Sequence, residues 1–155
     1  MDNKRDLYAF LLERVDDLAE HDGTRDERLG RICQAVADGV ASFEWVGIYW
    51  ADAETRTLTL GPFAGPPTEH VRIPFGRGVC GQVADREATL VVDDVTAEEN
   101  YLACNLTTRS EMVVPLFRAG EMIGQLDVDA RQKAAFGPEE RDFVEAVARR
   151  IAALV

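Results

Sequence analysis

The segment Leu126-Asp127-Val128-Asp129 constrains this chain more than any other. It lies inside an otherwise apolar run, from Met122 to Ala130, which reads as a strand. Successive side chains of a strand point to opposite faces, so Asp127 and Asp129 share one face and Leu126 and Val128 share the other. Strand interiors disfavour aspartate, and a buried carboxylate without a partner is costly. Something must offset that cost: a ligand, loop hydrogen bonds, or an exposed strand end. If the leucine–valine face meets helices, both aspartates look toward the other side of the sheet.

The rest of the chain supplies the helices. Leu7, Phe10, Leu11, Val15 and Leu18 recur at helical spacing, with charges between them. Asp22-Gly23 breaks that helix, and Thr24 with Glu27 three residues on forms a capping-box pattern. A second helix carries Leu29, Ile32, Cys33, Val36 and Val40 on one face, which makes Cys33 a core residue. From Trp45 to Trp50 the chain turns to β, and Thr55 to Leu60 is its partner strand. Residues 61–67, with two glycines and three prolines, read as a loop. Val71 to Ile73 is a short strand, Val79 to Arg86 a short helix, and Thr89 to Val92 a strand. The stretch from Asp93 to Thr108 is the longest irregular one, and such loops are often functional. Met112 to Phe117 and Met122 to Ala130 form a hairpin over Arg118-Ala119-Gly120. Pro138 opens a final helix with Phe143, Val144, Val147, Ile151 and Leu154 as its apolar positions.

This order predicts one α+β domain over residues 1–155: an antiparallel sheet with the terminal helices on one face. Loops and the short helix then cover the other face, leaving a pocket between them and the sheet. The 155 residues suffice for a sizeable core, and 46% hydrophobic content is a globular value. A net charge of −11 argues against non-specific nucleic-acid binding and against anionic membranes. No apolar run nears the roughly 20 residues needed to span a bilayer, and no signal peptide is evident, so a cytoplasmic location is expected. Three cysteines in a reducing compartment are then free, metal-bound or redox-active. Metal is the weakest of these by spacing: there is no Cys-x-x-Cys, and His21 and His70 have no cysteine at ligand distance in sequence.

Two thiols and three carboxylates stand out as chemistry. Cys80 follows Gly76-Arg77-Gly78-Val79 at the start of the short helix, where a helix N-terminus and Arg77 favour thiolate. Cys104 sits in the long loop. Glu111 opens the strand of the hairpin that pairs with Asp127 and Asp129. Like charges held close cannot all ionise, so such a trio keeps at least one proton near neutral pH. A protonated carboxyl can donate to a polarised oxygen, and the remaining anions can hold an ammonium group. Trp45 and Tyr49 lie four apart on one strand face and would wall a pocket for a thioether or methyl group. Gly76-Arg77-Gly78 lacks the Lys-Ser/Thr of a P-loop and the third glycine of a dinucleotide fingerprint.

Six segments carry a family resemblance: Trp45-Val46-Gly47-Ile48-Tyr49, Leu60-Gly61-Pro62-Phe63-Ala64-Gly65, Arg72-Ile73-Pro74-Phe75-Gly76-Arg77-Gly78-Val79-Cys80-Gly81, Ala103-Cys104, Ser110-Glu111-Met112-Val113-Val114-Pro115-Leu116 and Gly124-Gln125-Leu126-Asp127-Val128-Asp129. In this order they make the chain, from about Phe43 onward, resemble GAF-domain proteins of the free methionine-(R)-sulfoxide reductase family. The resemblance implies a GAF-like, six-stranded antiparallel sheet and, commonly, a homodimer. It implies reduction of free methionine sulfoxide; no cofactor and no metal are expected. Cys104 would be the attacking thiol, with Cys80 able to resolve its sulfenic acid as a disulfide. Glu111, Asp127 and Asp129 would hold the sulfoxide oxygen and amino group, with Trp45 and Tyr49 around the methyl. A thioredoxin-type reductant would restore the thiols. The chain departs from the family pattern at His70, where a third cysteine is usual, and at Asn105, where aspartate usually follows the nucleophile. A ligand-binding GAF sensor without turnover and a non-catalytic dimerisation domain are the competing readings.

Overall fold

Local signals start the fold, and long-range pairing finishes it. The computed structural model describes residues 3–102 and 106–155. Helix α1 (Asn3–Ala19) is followed by α2 (Arg25–Gly39), whose capping box is complete: Thr24 Oγ1 accepts from the Glu27 amide, and Glu27 accepts from the Thr24 amide. Two strands follow, β1 (Phe43–Asp52) and β2 (Thr57–Ala64), then a short β3 (Arg72–Pro74). Helix α3 (Gly78–Arg86) leads to β4 (Leu90–Val92) and a single 3-10 turn at Val95–Ala97. The chain closes with β5 (Ser110–Arg118), β6 (Glu121–Ala130) and α4 (Pro138–Ala152), with Pro138 in the first turn of α4. Ala119 and Gly120 both take positive φ, 52° and 81°, as a two-residue hairpin turn requires.

The six strands form one antiparallel sheet in the order β3-β2-β1-β6-β5-β4. On one face, α1, α2 and α4 bury Val15, Leu29, Ile32, Phe143 and Val147 against Val46, Ile48, Leu126 and Val128. On the other, α3 and the loops bury Val79, Cys80 and Val83 with Trp45, Tyr49, Leu58 and Val113. The alternation of β6 is therefore used as expected, with its leucine and valine toward the helices. Among the described residues no helix is long and apolar enough to cross a membrane.

Two expectations need correction. Leu7 and Phe10 are exposed, and Tyr8 is buried in their place. The Tyr8 hydroxyl explains this, because it donates to the buried Glu140 of α4 at 2.6 Å while its ring stacks on Phe143. Helical spacing fixes which residues share a face, but the direction of that face depends on what α4 offers. Residues 61–64 are strand, since β2 continues to Ala64. The β1–β2 register shifts between Gly47 and Tyr49, so Gly61 and Pro62 together oppose Ile48. A bulge of this kind accommodates a proline that has no amide to donate.

Candidate active site

The buried loop-side face of the sheet is laid out in rungs. Trp45 of β1 pairs with Asp129 of β6, which pairs with Glu111 of β5. One rung on, Gly47 pairs with Asp127, which pairs with Val113; the next joins Tyr49, Gln125 and Pro115. Gln125, Asp127 and Asp129 thus form a polar stripe along one side of β6, and all three are at most 1% exposed. The Trp45 ring lies over Gly47, where a Cβ would come within 2.3 Å of it, so only glycine fits beside Asp127. Trp45 stacks on Phe63 and Tyr49, its indole N–H donates to Pro66 O at 3.1 Å, and the Tyr49 hydroxyl donates to His70 O at 2.9 Å. Both aromatics are fixed at both ends before any ligand arrives.

Helix α3 brings Cys80 onto this stripe. Its thiol donates to Asp127 Oδ2 at 3.4 Å, and Gln125 Nε2 donates to the Cys80 carbonyl at 3.1 Å. Arg77 at the N-cap contributes no side-chain cap; Asn100 reaches across instead, accepting from the Gly78 amide at 2.7 Å and donating to Gly76 O at 2.8 Å. Gly78 has φ +68°, and a Cβ there would press on Leu102 at 3.0 Å. The chain just before Cys104 is therefore interlocked with the turn just before Cys80. On the far side of Cys104, the hydroxyls of Thr107 and Thr108 donate to the buried Glu44 of β1, next to Trp45. Cys104 itself, with Ala103 and Asn105, lies outside the described residues.

Electrostatics follow from burial. Desolvation raises Asp127 above the usual aspartate range, opposed by hydrogen bonds with Glu111, Cys80 and Asp129. Asp129 is raised well above it, first by desolvation and then by the neighbouring Asp127 charge. Among the described residues neither aspartate has an ion-pair partner, and one oxygen of each, Oδ1, is buried without a hydrogen bond. A proton held between carboxyl groups, or a cation brought by a ligand, supplies what the protein leaves out. Cys33 behaves differently: it is fully buried among aliphatic side chains, and desolvation pushes its thiol up to about 12.

The structure thus places Cys80, Glu111, Asp127, Asp129, Trp45 and Tyr49, all of them candidates from sequence, on the loop-side face of the sheet, with Cys80 against Asp127 and with Cys80 and Glu111 lining a hollow. Gln125 and Asn100 join them without being candidates from sequence. The alternation that singled out the aspartates extends back to Gln125 and gave a usable signal; Asn100 gave none, because its partners lie over twenty residues away. The hollow between Cys80, Glu111, Ile73, Gly78 and Leu102 is small, about 10 Å³. A larger one of about 640 Å³ opens between β5 and α4, lined by Leu116, Phe117, Glu145 and Arg149, but it lacks the thiol and the buried carboxyls.

Comparison with known proteins points to one family. The GAF domain profile matches residues 24–155. The free methionine-R-sulfoxide reductase of Escherichia coli is 33% identical over 89% of this chain and 82% of its own. The structure of free methionine-R-sulfoxide reductase from Neisseria meningitidis in complex with its substrate superposes with a TM-score of 0.90 at 34% identity, covering 99% of this chain and 91% of that one. A protein from Burkholderia vietnamiensis described as a GAF sensor superposes at 0.88 with 37% identity, covering 97% and 94%.

Proposed function

We propose that this chain, which belongs to the GAF-domain free methionine-(R)-sulfoxide reductase family, reduces free methionine-(R)-sulfoxide to methionine beside Cys80, Glu111 and Asp127. The observation that carries the reading is the meeting of the Cys80 thiol with Asp127 and Glu111 on a buried, acid-lined sheet face beside Trp45.

The chemistry fits those groups. The Cys104 thiolate attacks the sulfoxide sulfur while a protonated carboxyl of the Glu111–Asp127–Asp129 trio gives its proton to the oxygen. Burial raises the pKa of Asp127 and, further, of Asp129, and so favours such a proton. Oxygen passes to Cys104 as sulfenic acid and methionine leaves. Cys80 then attacks the sulfenic sulfur, water departs and a disulfide remains; a thioredoxin-type dithiol reduces it. A carboxylate left ionised by the shared proton pairs with the substrate ammonium. A residue inside a polypeptide has no such group, which accounts for selection of the free amino acid. Trp45 supplies an aromatic wall for the methyl group.

NADPH oxidation coupled through thioredoxin and its reductase, with free methionine-(R)-sulfoxide, tests this directly. Turnover should vanish in Cys104→Ser; equal rates in the two proteins would sink the proposal. With Cys80→Ser, sulfenic acid on Cys104 should accumulate and be trapped by dimedone. The similarity to a protein described as a GAF sensor supports a second reading, ligand binding without turnover. Calorimetric binding of the sulfoxide with no methionine formed would decide for it.

A further inference from the structure

We infer that Cys80, Glu111 and Asp127 also form a binding site for a thiophilic divalent cation, zinc above all. The Cys80 Sγ and one carboxylate oxygen from each acid all lie within 4.8 Å of one another. Tetrahedral zinc, with bonds of about 2.3 Å to sulfur and about 2.1 Å to oxygen, sets those two ligands about 3.6 Å apart. The Cys80 Sγ to Asp127 Oδ2 separation is 3.4 Å, so that edge of the tetrahedron is nearly in place.

The three ligands come from α3, β5 and β6, and each is held by the fold. Glu111 and Asp127 stand on adjacent strands one rung apart, and Gln125 anchors the Cys80 carbonyl to β6. A second, independent observation points to a cation. Asp127 is fully buried, and among the described residues its Oδ1 has no hydrogen-bond partner and no lysine or arginine pairs with it. The same holds for Oδ1 of Asp129 behind it. Carboxylate oxygens enclosed in this way gain most from a positive charge.

The thiol decides which cation. Magnesium and calcium take oxygen ligands and have little use for sulfur, whereas one thiolate with two carboxylates suits zinc. Ligation displaces the thiol proton to solvent. The hollow of about 10 Å³ that Cys80 and Glu111 line, next to Asp127, is on the scale of an ion and its water rather than of an organic cofactor. Spacing along the chain gave no hint of such a site, because its ligands converge only through the sheet and the α3 crossover.

One consequence rests on the reductase reading: zinc occupies the space of the substrate's polar groups and removes Cys80 as resolving thiol, so it inhibits competitively. The binding itself does not depend on that reading. Zinc titration of the reduced, full-length protein by calorimetry, with a chromophoric chelator as competitor, should show one saturable site. Cys80→Ser and Glu111→Gln should each weaken it at least tenfold, Cys33→Ser should leave it unchanged, and millimolar magnesium should not compete. Cobalt in the same site should give a thiolate-to-cobalt charge-transfer band, a readout that stands even where one variant folds poorly. The inference is overturned by the absence of a saturable site, by full affinity in both variants, by cobalt bound without that band, or by a site lost in Cys104→Ser yet intact in Cys80→Ser. Zinc that binds but does not raise the apparent KM for the sulfoxide overturns the competitive role. Absence of turnover in the metal-free protein counts against the reductase reading alone and leaves the titration as the test of the metal site.

Discussion

On the helix side of β6, Leu126 and Val128 disappear into an aliphatic core shared with α1, α2 and α4. On the other side of the same strand, Gln125, Asp127 and Asp129 are just as deeply buried, yet meet a thiol, a glutamate and an indole. One backbone therefore serves two purposes with alternate residues. The first face lowers the free energy of folding through apolar burial. The second also buries apolar side chains, but its aspartates work against folding, since two carboxyl oxygens there have no hydrogen-bond partner among the described residues, and apolar burial on both sides makes them tolerable. The functional groups of such a sheet are expected on the face that packing alone would not choose.

Substitutions separate the two faces, and the largest effect belongs to Leu126. Leu126→Ala leaves a cavity in the helix-side core and should cost about 2–5 kcal/mol in urea denaturation. Asp127→Leu, one residue away, should leave the midpoint unchanged or raise it, while sulfoxide reduction falls by about a hundredfold or more through loss of charge stabilisation. Equal destabilisation by the two changes would break the contrast.

The pH dependence of stability is a finer test. Asp127 and Asp129 have folded-state pKa values above the ordinary aspartate value of 3.8. For a raised acid, the stabilising contribution is full below the unfolded value and is lost as pH climbs through the folded one. Wild-type protein should therefore lose stability on going upward from about pH 4, and Asp127→Asn with Asp129→Asn should flatten that decline. Glu140 acts in the opposite sense: burial pushes its pKa up, but bonds from Tyr8 and Lys4 outweigh this and lower it, so its contribution fades as pH falls. A Glu140→Gln background isolates the aspartate slope. Thermal melts across the range read both, and an unchanged decline in the double variant would remove the aspartates as its source.

Smaller effects sharpen the helix side. Thr24→Ala breaks the capping box of α2 and should cost about 1 kcal/mol. Phe10→Ser should stay within about 0.5 kcal/mol, because Phe10 is 63% exposed despite its place in the apolar pattern of α1. A large loss there would mean that Phe10 is covered in solution.

Much of this was legible beforehand where the signal is local. The capping box, the hairpin turn, the α4 start and the opposite orientation of Leu126 and Asp127 all follow from residues within a few positions of one another. The failures share a cause. Pro62 reads as a loop residue from its neighbours, and the bulge opposite Ile48 gives it a place in β2. Helical spacing selects Leu7 and passes over Tyr8, which is buried because Glu140 lies within 2.6 Å of its hydroxyl. Asn100 carried no mark at all.

The sequence by itself determined that one strand has an acidic and an aliphatic side, and which helices and turns form, since periodicity and capping are properties of neighbouring residues. Only the tertiary structure decided that Cys80 meets Asp127 and Glu111, that Glu111 stands across from Asp129, and that Asn100 braces the turn before Cys80. Those distances depend on strand order and on where α3 crosses the sheet, and both are settled by burying the whole chain at once rather than by any segment alone.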